Sequence, residues 1–221
     1  MGFAGAARAE AVRCTDVNGL PAGPYGSRRI PAPGHYCLTA DLSYTGPTGI
    51  AILIAADDVT LDLNGFTVDG GFGMSVGIAC NDGATIRNGT VSRFQRAIDC
   101  NAFPVVVEDM NLDYNETGIR INFGIIRRNR VVNTGWAHLA GSHRYGIQVV
   151  DGGSIVIDND IVTVNHCVCA EGESTGILMG GRGTLDGAYV VNNRITQADN
   201  GVLFDVYARG TIRDNLTSGV P

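Results

Sequence analysis

The sequence contains no lysine: all 16 of its lysine-plus-arginine residues are arginines, and the formal net charge is −6. An acidic chain without a basic cluster argues against nucleic acid as the main partner. The absence of lysine also removes one class of catalytic base. No apolar stretch reaches the roughly 18 residues that a membrane span requires, so no membrane partner is expected.

A helical apolar stripe is missing as well. The apolar runs are short, rich in β-branched residues, and bounded by glycine, asparagine or aspartate, which is the pattern of strands. Val59, Leu61 and Leu63 in VTLDLNGFTV alternate with polar residues in this way. The dense leucine frame of a leucine-rich repeat is absent too. The sequence therefore predicts an all-β fold.

A two-part repeat runs through the chain. A Gly-Ile step, or a close variant of it, begins at residues 49, 77, 97, 118, 146, 176 and 201. A second apolar run follows each step and carries one aligned asparagine: Asn64, Asn88, Asn111, Asn129, Asn159, Asn193 and Asn215. A recurrence every 20 to 30 residues indicates a solenoid. With strands this short, we predict a single-stranded, right-handed parallel β-helix of about seven coils.

The aligned asparagines are predicted to be structural. Asparagine turns the chain and tolerates unusual dihedral angles, and amides stacked on successive coils satisfy one another as a ladder. The N-x-T sequons at Asn88, Asn115 and Asn215 are accordingly interpreted as ladder chemistry or chance rather than as glycan sites.

Six cysteines are present, at positions 14, 37, 80, 100, 167 and 169. An even number in an exported chain permits three disulfide bonds, and we favour Cys14 with Cys37 and Cys80 with Cys100. Cys80 and Cys100 each follow the repeat isoleucine by two residues, so they stack on consecutive coils within bridging range. The pairing of Cys167 and Cys169 stays open, and their spacing does not suit a zinc site.

Three segments are expected along the chain. Residues 1–13 have the small side chains of a signal-peptide remnant, or form a disordered N-terminus. Residues 14–48 are predicted to form an N-terminal cap or lead-in strand, and residues 49–221 the β-helix. Together with the cysteines, this predicts a secreted or periplasmic protein. An uncapped C-terminal end would expose strand edges and permit homo-oligomer formation there.

The motifs VTLDLNGFTV and ATIRNGTV, the lead-in PAPGHYCLTADL and the recurring GI…NN coils resemble those of secreted bacterial right-handed β-helix proteins of the pectate-lyase-like superfamily. The resemblance covers residues 30 to 220 and implies the fold. Members of the superfamily include lyases, hydrolases, epimerases and adhesins, so the resemblance does not by itself fix an activity.

A functional site is predicted where two long connections lie on adjacent coils. The aligned asparagine and the next repeat are 17 residues apart after both Asn129 and Asn159, and long loops on a rigid scaffold commonly carry function. For a lyase that eliminates across a uronate, the candidate bases are His138, His143 and His166, and the candidate proton donor is Tyr145. Trp136 and Arg144 are predicted to contact the sugar.

The strand face below these loops adds further candidates. Alternation places Asp99, Arg120 and Gln148 in one outward column, and Asn81, Asn101 and Asn122 in a second. A guanidinium at Arg120 suits the carboxylate of a uronate, and the neighbouring amides suit sugar hydroxyls. The alternative interpretation of both columns is an ordinary solvated sheet face.

The sequence therefore predicts a polysaccharide lyase acting on an acidic glycan by β-elimination, with a polysaccharide or oligosaccharide as its partner. A non-catalytic carbohydrate-binding or cell-surface structural module is the first alternative. The second is a glycoside hydrolase using Asp99 with Glu108 or Asp109. No cofactor is required; calcium would find oxygen ligands at Asp57, Asp58 or Asp69, although their spacing matches no calcium loop.

Overall fold

A computed structural model of the chain describes residues 14–101, 104–135, 143–151, 153–164, 173–180, 185–205 and 208–219. Strands make up 62% of the structure, and the one helical element within these residues is the 3₁₀ turn Pro24–Gly26. None of the described residues forms a helix with the length and hydropathy of a membrane span. The predicted all-β fold is confirmed.

The strands are short and evenly distributed along the chain. In order they are β1 (Thr15–Asp16), β2 (Arg28–Ile30), β3 (Gly34–Cys37), β4 (Leu42–Ser43), β5 (Thr48–Ile54), β6 (Val59–Asp62), β7 (Thr67–Asp69), β8 (Met74–Cys80), β9 (Ala84–Ser92), β10 (Arg96–Cys100), β11 (Val105–Asp113), β12 (Thr117–Ile121), β13 (Gly124–Arg127), β14 (Arg130–Thr134), β15 (Arg144–Val149), β16 (Ile155–Ile157), β17 (Asp160–Val164), β18 (Ser174–Met179), β19 (Leu185–Val191), β20 (Arg194–Thr196), β21 (Asn200–Phe204), β22 (Ala208–Arg213) and β23 (Leu216–Ser218).

These strands form three rows of parallel neighbours. The first row is an eight-stranded sheet in the order β2-β5-β8-β10-β12-β15-β18-β21. The second row is β1-β3-β6-β9-β11-β13-β16-β19-β22, and the third is β4-β7-β9-β11-β14-β17-β20-β23, with the long strands β9 and β11 belonging to both. The chain visits the rows in turn, so each strand pairs with its counterpart one repeat away. This topology is consistent with a β-helix-like solenoid.

The core lies between the rows and is built from stacked aliphatic side chains. The first row contributes one stack in register, and the second and third rows contribute one each: Ile52-Ile78-Ile98-Ile119-Ile147-Ile177, Leu61-Ile86-Val107-Ile126-Val156-Val190 and Val68-Val91-Leu112-Val131-Ile161-Ile195. All of these side chains are fully buried. Each contributes roughly 1.5–3 kcal/mol by leaving water, so the stacks are the main source of stability.

The glycine of the Gly-Ile step is required by close packing. A Cβ on Gly146 would lie 2.6 Å from the carbonyl oxygen of Gly176 and 2.7 Å from the side chain of Ile161. Since both distances are far below van der Waals contact, a larger residue does not fit.

In the first repeat the predicted alignment is wrong by two residues, because Ile52, not Ile50, pairs with Ile78.

Two bends of the coil hold a column of left-handed residues. At the first bend, between the second and third rows, φ lies between 53° and 58° at Asn64, Asn88, Asp109, Arg128, Asp158, Asn192 and Asp214. At the second bend, between the third and first rows, the corresponding residues are Arg93, Tyr114, Asn133, Thr163 and Gln197. Asparagine and aspartate dominate the first bend because they tolerate this conformation best.

The asparagine ladder is present at the first bend, but it is shorter than predicted. The side-chain oxygen of Asn159 accepts hydrogen bonds from the backbone N–H and the side-chain amide of Asn129, both at 3.0 Å. Asn193 accepts the same pair from Asn159 at 3.0 and 2.9 Å, and Asn215 accepts it from Asn193 at 2.9 Å for both. The predicted ladder is therefore confirmed for its last four members.

The first three predicted members do not belong to the ladder. Asn64 and Asn88 occupy the left-handed position itself and are exposed. Asn111 follows the inward-facing Met110, whose backbone N–H donates to Asn129 at 3.0 Å and so ends the ladder. A shift of one residue relative to the left-handed position moves a side chain out of the stack.

Two disulfide bonds match the predicted pairs. Cys14 bonds Cys37 with Cα atoms 5.7 Å apart, and Cys80 bonds Cys100, its register partner in the first row, with Cα atoms 4.6 Å apart. Cys167 and Cys169 lie outside the described residues, as do residues 1–13. Two disulfide bonds indicate folding in an oxidising, extracellular compartment.

The strands between residues 14 and 48 pair with those of the later repeats. β2 adds to the edge of β5, β3 pairs with both β1 and β6, and β4 pairs with β7. All of these pairings are parallel, so the three rows extend into the segment that precedes the first Gly-Ile step.

Candidate functional site

The strand register aligns the three residues predicted to form an outward column on the first row. Asp99 pairs with Arg120 and Arg120 with Gln148. Arg120 Nη1 donates to Asp99 Oδ1 at 2.9 Å and to Asn101 Oδ1 at 3.0 Å. The side-chain amide of Asn122 in turn donates to the backbone oxygen of Asn101 at 3.0 Å. The structure therefore brings Asp99, Arg120, Asn101 and Asn122 into one polar cluster.

Arg96 is a member of this cluster that the sequence pattern did not reveal. Its Nη1 donates to Asp99 Oδ2 at 2.7 Å. Residues three apart on a regular strand face opposite sides, but Ala97 and Ile98 are both fully buried, so the alternation is interrupted between them. The same interruption occurs at the steps that begin at residues 77, 118, 146 and 176. This interruption of the alternation is the feature of the sequence that could have indicated that Arg96 and Asp99 share a face.

The cluster fixes Arg120 more firmly than the sequence suggested. Asp99 is buried and lies between the two guanidinium groups of Arg96 and Arg120, while the Arg120 side chain keeps about 28% of its surface exposed. Both of these hydrogen bonds of Arg120 use Nη1, so the guanidinium is oriented by its neighbours. An oriented, partly exposed guanidinium suits an anionic ligand because little side-chain entropy remains to be lost.

Tyr145 lies on the same outer face. Tyr145 precedes Ile147 by two residues, and Thr117 precedes Ile119 by two residues. Because Ile119 pairs with Ile147, Tyr145 is aligned with Thr117, which in turn pairs with Arg96. Tyr145 is therefore in the column of Arg96, roughly 10 Å along the sheet from the column of Arg120. Burial raises the pKa of Tyr145, and Asp205 and Glu173 raise it further. The phenol thus stays protonated at neutral pH, which suits a proton donor and not a base.

His143 stands next to Tyr145 and is exposed. The two rings are stacked with centroids 6.3 Å apart and planes at 20°. Of the three histidines predicted as bases, His143 alone lies within the described residues; His138, His166 and the predicted sugar contact Trp136 lie outside them. The structure therefore tests the position of one of these four side chains.

Arg144 corrects a prediction. It was expected to contact the sugar, but its side chain is only 1% exposed, and its backbone N–H bonds the oxygen of Glu173 on the next coil. A guanidinium buried to this degree serves packing and internal electrostatics rather than a ligand at the surface. The prediction assigned Arg144 to a long loop, whereas the structure places it at the start of β15 with its side chain buried.

The carboxylate pair predicted for a hydrolase is not formed. Asp99 is on the first row, whereas Glu108 is on the second row, where Arg127 and Arg128 donate to it at 2.7 and 3.0 Å. The hydrogen bond from Arg128 holds the pKa of Asp109 below its usual range. A carboxylate with a lowered pKa is a poor general acid, so this pair does not support hydrolysis.

Of the three aspartates predicted as calcium ligands, Asp57 and Asp58 lie between β5 and β6, whereas Asp69 ends β7. No cluster of three or more histidine, cysteine, aspartate or glutamate side chains suited to an ion occurs in the part of the chain that the structure describes. The Asp69 carboxylate is engaged by the guanidinium of Arg93. Asp57 and Asp58 line a separate shallow groove beside Thr60 and Thr85.

In comparison with known proteins, the chain matches no protein-family model, no curated protein and no solved structure. The resemblance to pectate-lyase-like proteins therefore stays a prediction, while the parallel all-β architecture is established by the strand register.

Proposed function

We propose that this chain is a secreted or periplasmic right-handed parallel β-helix of about seven coils that binds an acidic, uronate-containing glycan and cleaves it by β-elimination. The observation that carries the proposal is the cluster on the first row. Arg120 is oriented by Asp99 and Asn101, and Gln148, Asn122 and Tyr145 lie around it on the same outer face.

Arg120 and the polar side chains around it on the outer face have separate roles in this proposal. Arg120 binds the uronate carboxylate through a charge-assisted hydrogen bond. Gln148 and Asn122 bind sugar hydroxyls through their amides. Tyr145, kept protonated by its raised pKa, donates a proton to the leaving oxygen, and His143 accepts the proton next to the carboxylate.

Binding without cleavage is the second candidate, and one observation favours it. Arg120 is already paired with Asp99, so part of its charge is offset before a glycan arrives. Such an arrangement suits recognition of a carboxylate. It also reduces the positive charge that Arg120 can offer to the transition state of an elimination.

The binding step is tested with Arg120→Gln, measured by affinity electrophoresis in gels containing polygalacturonate. Asp99 keeps its bond to Arg96 in this variant, so the fold is retained. Losing a hydrogen bond to a charged group removes about 1.5–3 kcal/mol, which weakens binding roughly 10- to 100-fold. The matched control is Arg87→Gln, which removes an arginine paired with an aspartate, Asp62, on the second row. Equal binding by both variants would overturn the proposed site.

Cleavage is tested separately by following the ultraviolet absorbance of newly formed unsaturated uronate ends. Tyr145→Phe keeps the ring stacked on His143 and removes the proton donor, so we expect elimination to fall by about 10²-fold or more with binding unchanged. Polymer binding by the wild-type protein without any rise in absorbance would establish the non-catalytic alternative.

A further inference from the structure

Three large aromatic side chains project to solvent along the second bend. Tyr25, Phe72 and Tyr114 are 57%, 45% and 48% exposed. Their backbones are all left-handed, with φ of 58°, 69° and 53°. The positions of these three rings were not identified from the sequence, because none belongs to a strand.

A left-handed backbone is an unfavourable place for a bulky residue. Glycine and asparagine adopt it most readily, and the same bend uses Asn133 and Gly219 on later coils. An aromatic residue there costs about 1 kcal/mol or more in strain without burying its ring in the core. Strained and exposed aromatic residues at three such positions point to a role in binding rather than in stability.

The three rings are spaced evenly along the stack of coils. Thr45 donates its N–H to the oxygen of Tyr25, and Tyr44, its neighbour in the chain, donates to Asp69. Phe72 donates to the oxygen of Arg93, and Arg93 donates to Asp113, next to Tyr114. One coil therefore separates Tyr25 from Phe72, and one separates Phe72 from Tyr114. With a rise of about 4.8 Å per coil, neighbouring positions are about 10 Å apart along the direction in which the coils stack.

The central ring is held in place by charged neighbours. The guanidinium of Arg93 lies over the Phe72 ring, 5.1 Å from its centroid. Arg93 is itself fixed by its ion pair with Asp69, and the hydrogen bond with that carboxylate raises the pKa of Arg93. Phe72 is thus a braced ring with little freedom to lose on binding a ligand.

The aromatic residues also border the proposed glycan site. Each stands shortly before a strand of the first row: Tyr25 before β2, Phe72 before β8 and Tyr114 before β12. Arg120 lies on β12. A ligand lying along the second bend would therefore run beside the sheet whose outer face carries the polar cluster.

We propose that Tyr25, Phe72 and Tyr114 form a stacking platform for an extended, linear glycan that runs along the coil stack. The proposal rests on the proposed glycan-binding function and specifies its ligand as a long unbranched chain. A spacing of two coils matches about two sugar rings of such a chain, so alternate sugars lie against successive aromatic faces. The platform spans five coils, with about 19 Å between the first and the last, and short oligosaccharides contact only part of it.

The test replaces each ring by asparagine: Tyr25→Asn, Phe72→Asn and Tyr114→Asn. Because asparagine prefers the left-handed backbone, these variants fold and their thermal midpoints stay equal or rise. We expect each one to bind polygalacturonate about fivefold to tenfold more weakly, the loss of one aromatic contact. Wild-type affinity is expected to rise through a size-graded series of the oligomers until the platform is spanned. The matched control is Tyr189→Thr, which removes an equally exposed tyrosine from the second row.

The outcomes separate the platform from the proposed function. If Arg120→Gln weakens binding but the three asparagine variants bind like wild type, the platform is wrong and the polar cluster stands. If the asparagine variants weaken binding and Arg120→Gln does not, the platform stands and the polar cluster is wrong. If the wild-type protein binds no polygalacturonate at all, both proposals are overturned.

Discussion

The first bend is filled in two different ways in the two halves of the molecule. In the early coils the inward position holds Leu63, Gly89 and Met110, which are apolar or lack a side chain. In the later coils it holds the four stacked asparagines that begin at Asn129. A left-handed residue stands just before this position at Gly89, at Met110 and at the four asparagines, whereas Leu63 precedes its left-handed neighbour, Asn64.

The comparison shows that backbone geometry does not dictate the chemistry of the interior. An apolar side chain at this position is stabilised by contact with its surroundings, so its loss leaves a local cavity. A ladder asparagine is bonded to the coils before and after it, so its loss leaves buried donors unpaired on a neighbour. The later coils are therefore expected to respond more strongly to a single substitution at the bend.

Asn159→Ala is expected to have the largest effect. It deprives the backbone N–H and side-chain amide of Asn129 of their acceptor, and buried orphan groups cost about 1–3 kcal/mol each, giving about 4 kcal/mol in all. The measurement is the free energy of unfolding from urea titration. The control is Asn111→Ala at the same bend, which should cost less than about 0.5 kcal/mol, since no described residue bonds the Asn111 side-chain oxygen. Equal losses in the two variants would contradict the ladder.

Met110→Ala is expected to cost about 2–3 kcal/mol by leaving a cavity in the early half. Met110→Asn sharpens the comparison, because the new amide can donate to Asn129 and extend the ladder by one coil. We therefore expect the asparagine variant to be more stable than the alanine variant in the same urea titration, although asparagine is polar. The opposite order would show that the two halves are not interchangeable.

Asp109→Asn is expected to have the smallest effect, and one that depends on pH. The hydrogen bond from Arg128 lowers the pKa of Asp109 in the folded protein. The ion pair therefore stabilises the fold above the ordinary aspartate pKa of about 4, and this stability is lost as pH falls through the lowered pKa. Asparagine keeps the left-handed backbone, so the variant isolates the charge. Thermal midpoints should differ at neutral pH and converge in acid; a constant difference would exclude the linkage.

Much of the architecture was predictable because the signals are local and repeated. Alternation within short strands identified the inward stacks, and the position of Cys80 and Cys100 after the repeat isoleucine identified their disulfide bond. The four true ladder members were also recognisable. Each follows a residue that takes the left-handed conformation: Arg128, Asp158, Asn192 and Asp214.

The incorrect predictions fall where a shift of one or two residues decides which side chains face inward. In VEDMNLD, Asp109 takes the left-handed position, so Met110 faces inward and Asn111 faces away. In IAILI, Ile50 and Ile52 are two residues apart and fit the alternation equally well, and the strand register pairs Ile52 with Ile78. Contacts such as Arg96 with Asp99 depend on the interruption at the repeat step, and the exposed rings at the second bend lie outside the strands, where alternation gives no signal.

The central claim is that successive coils lie in register, so that residues a repeat apart become vertical neighbours. The most direct measurement is hydrogen exchange of the asparagine side-chain amides, followed by nuclear magnetic resonance. Asn129, Asn159 and Asn193 donate from buried sites and should exchange at least tenfold more slowly than the exposed amides of Asn64 and Asn88. Similar exchange rates in the two groups would contradict the register.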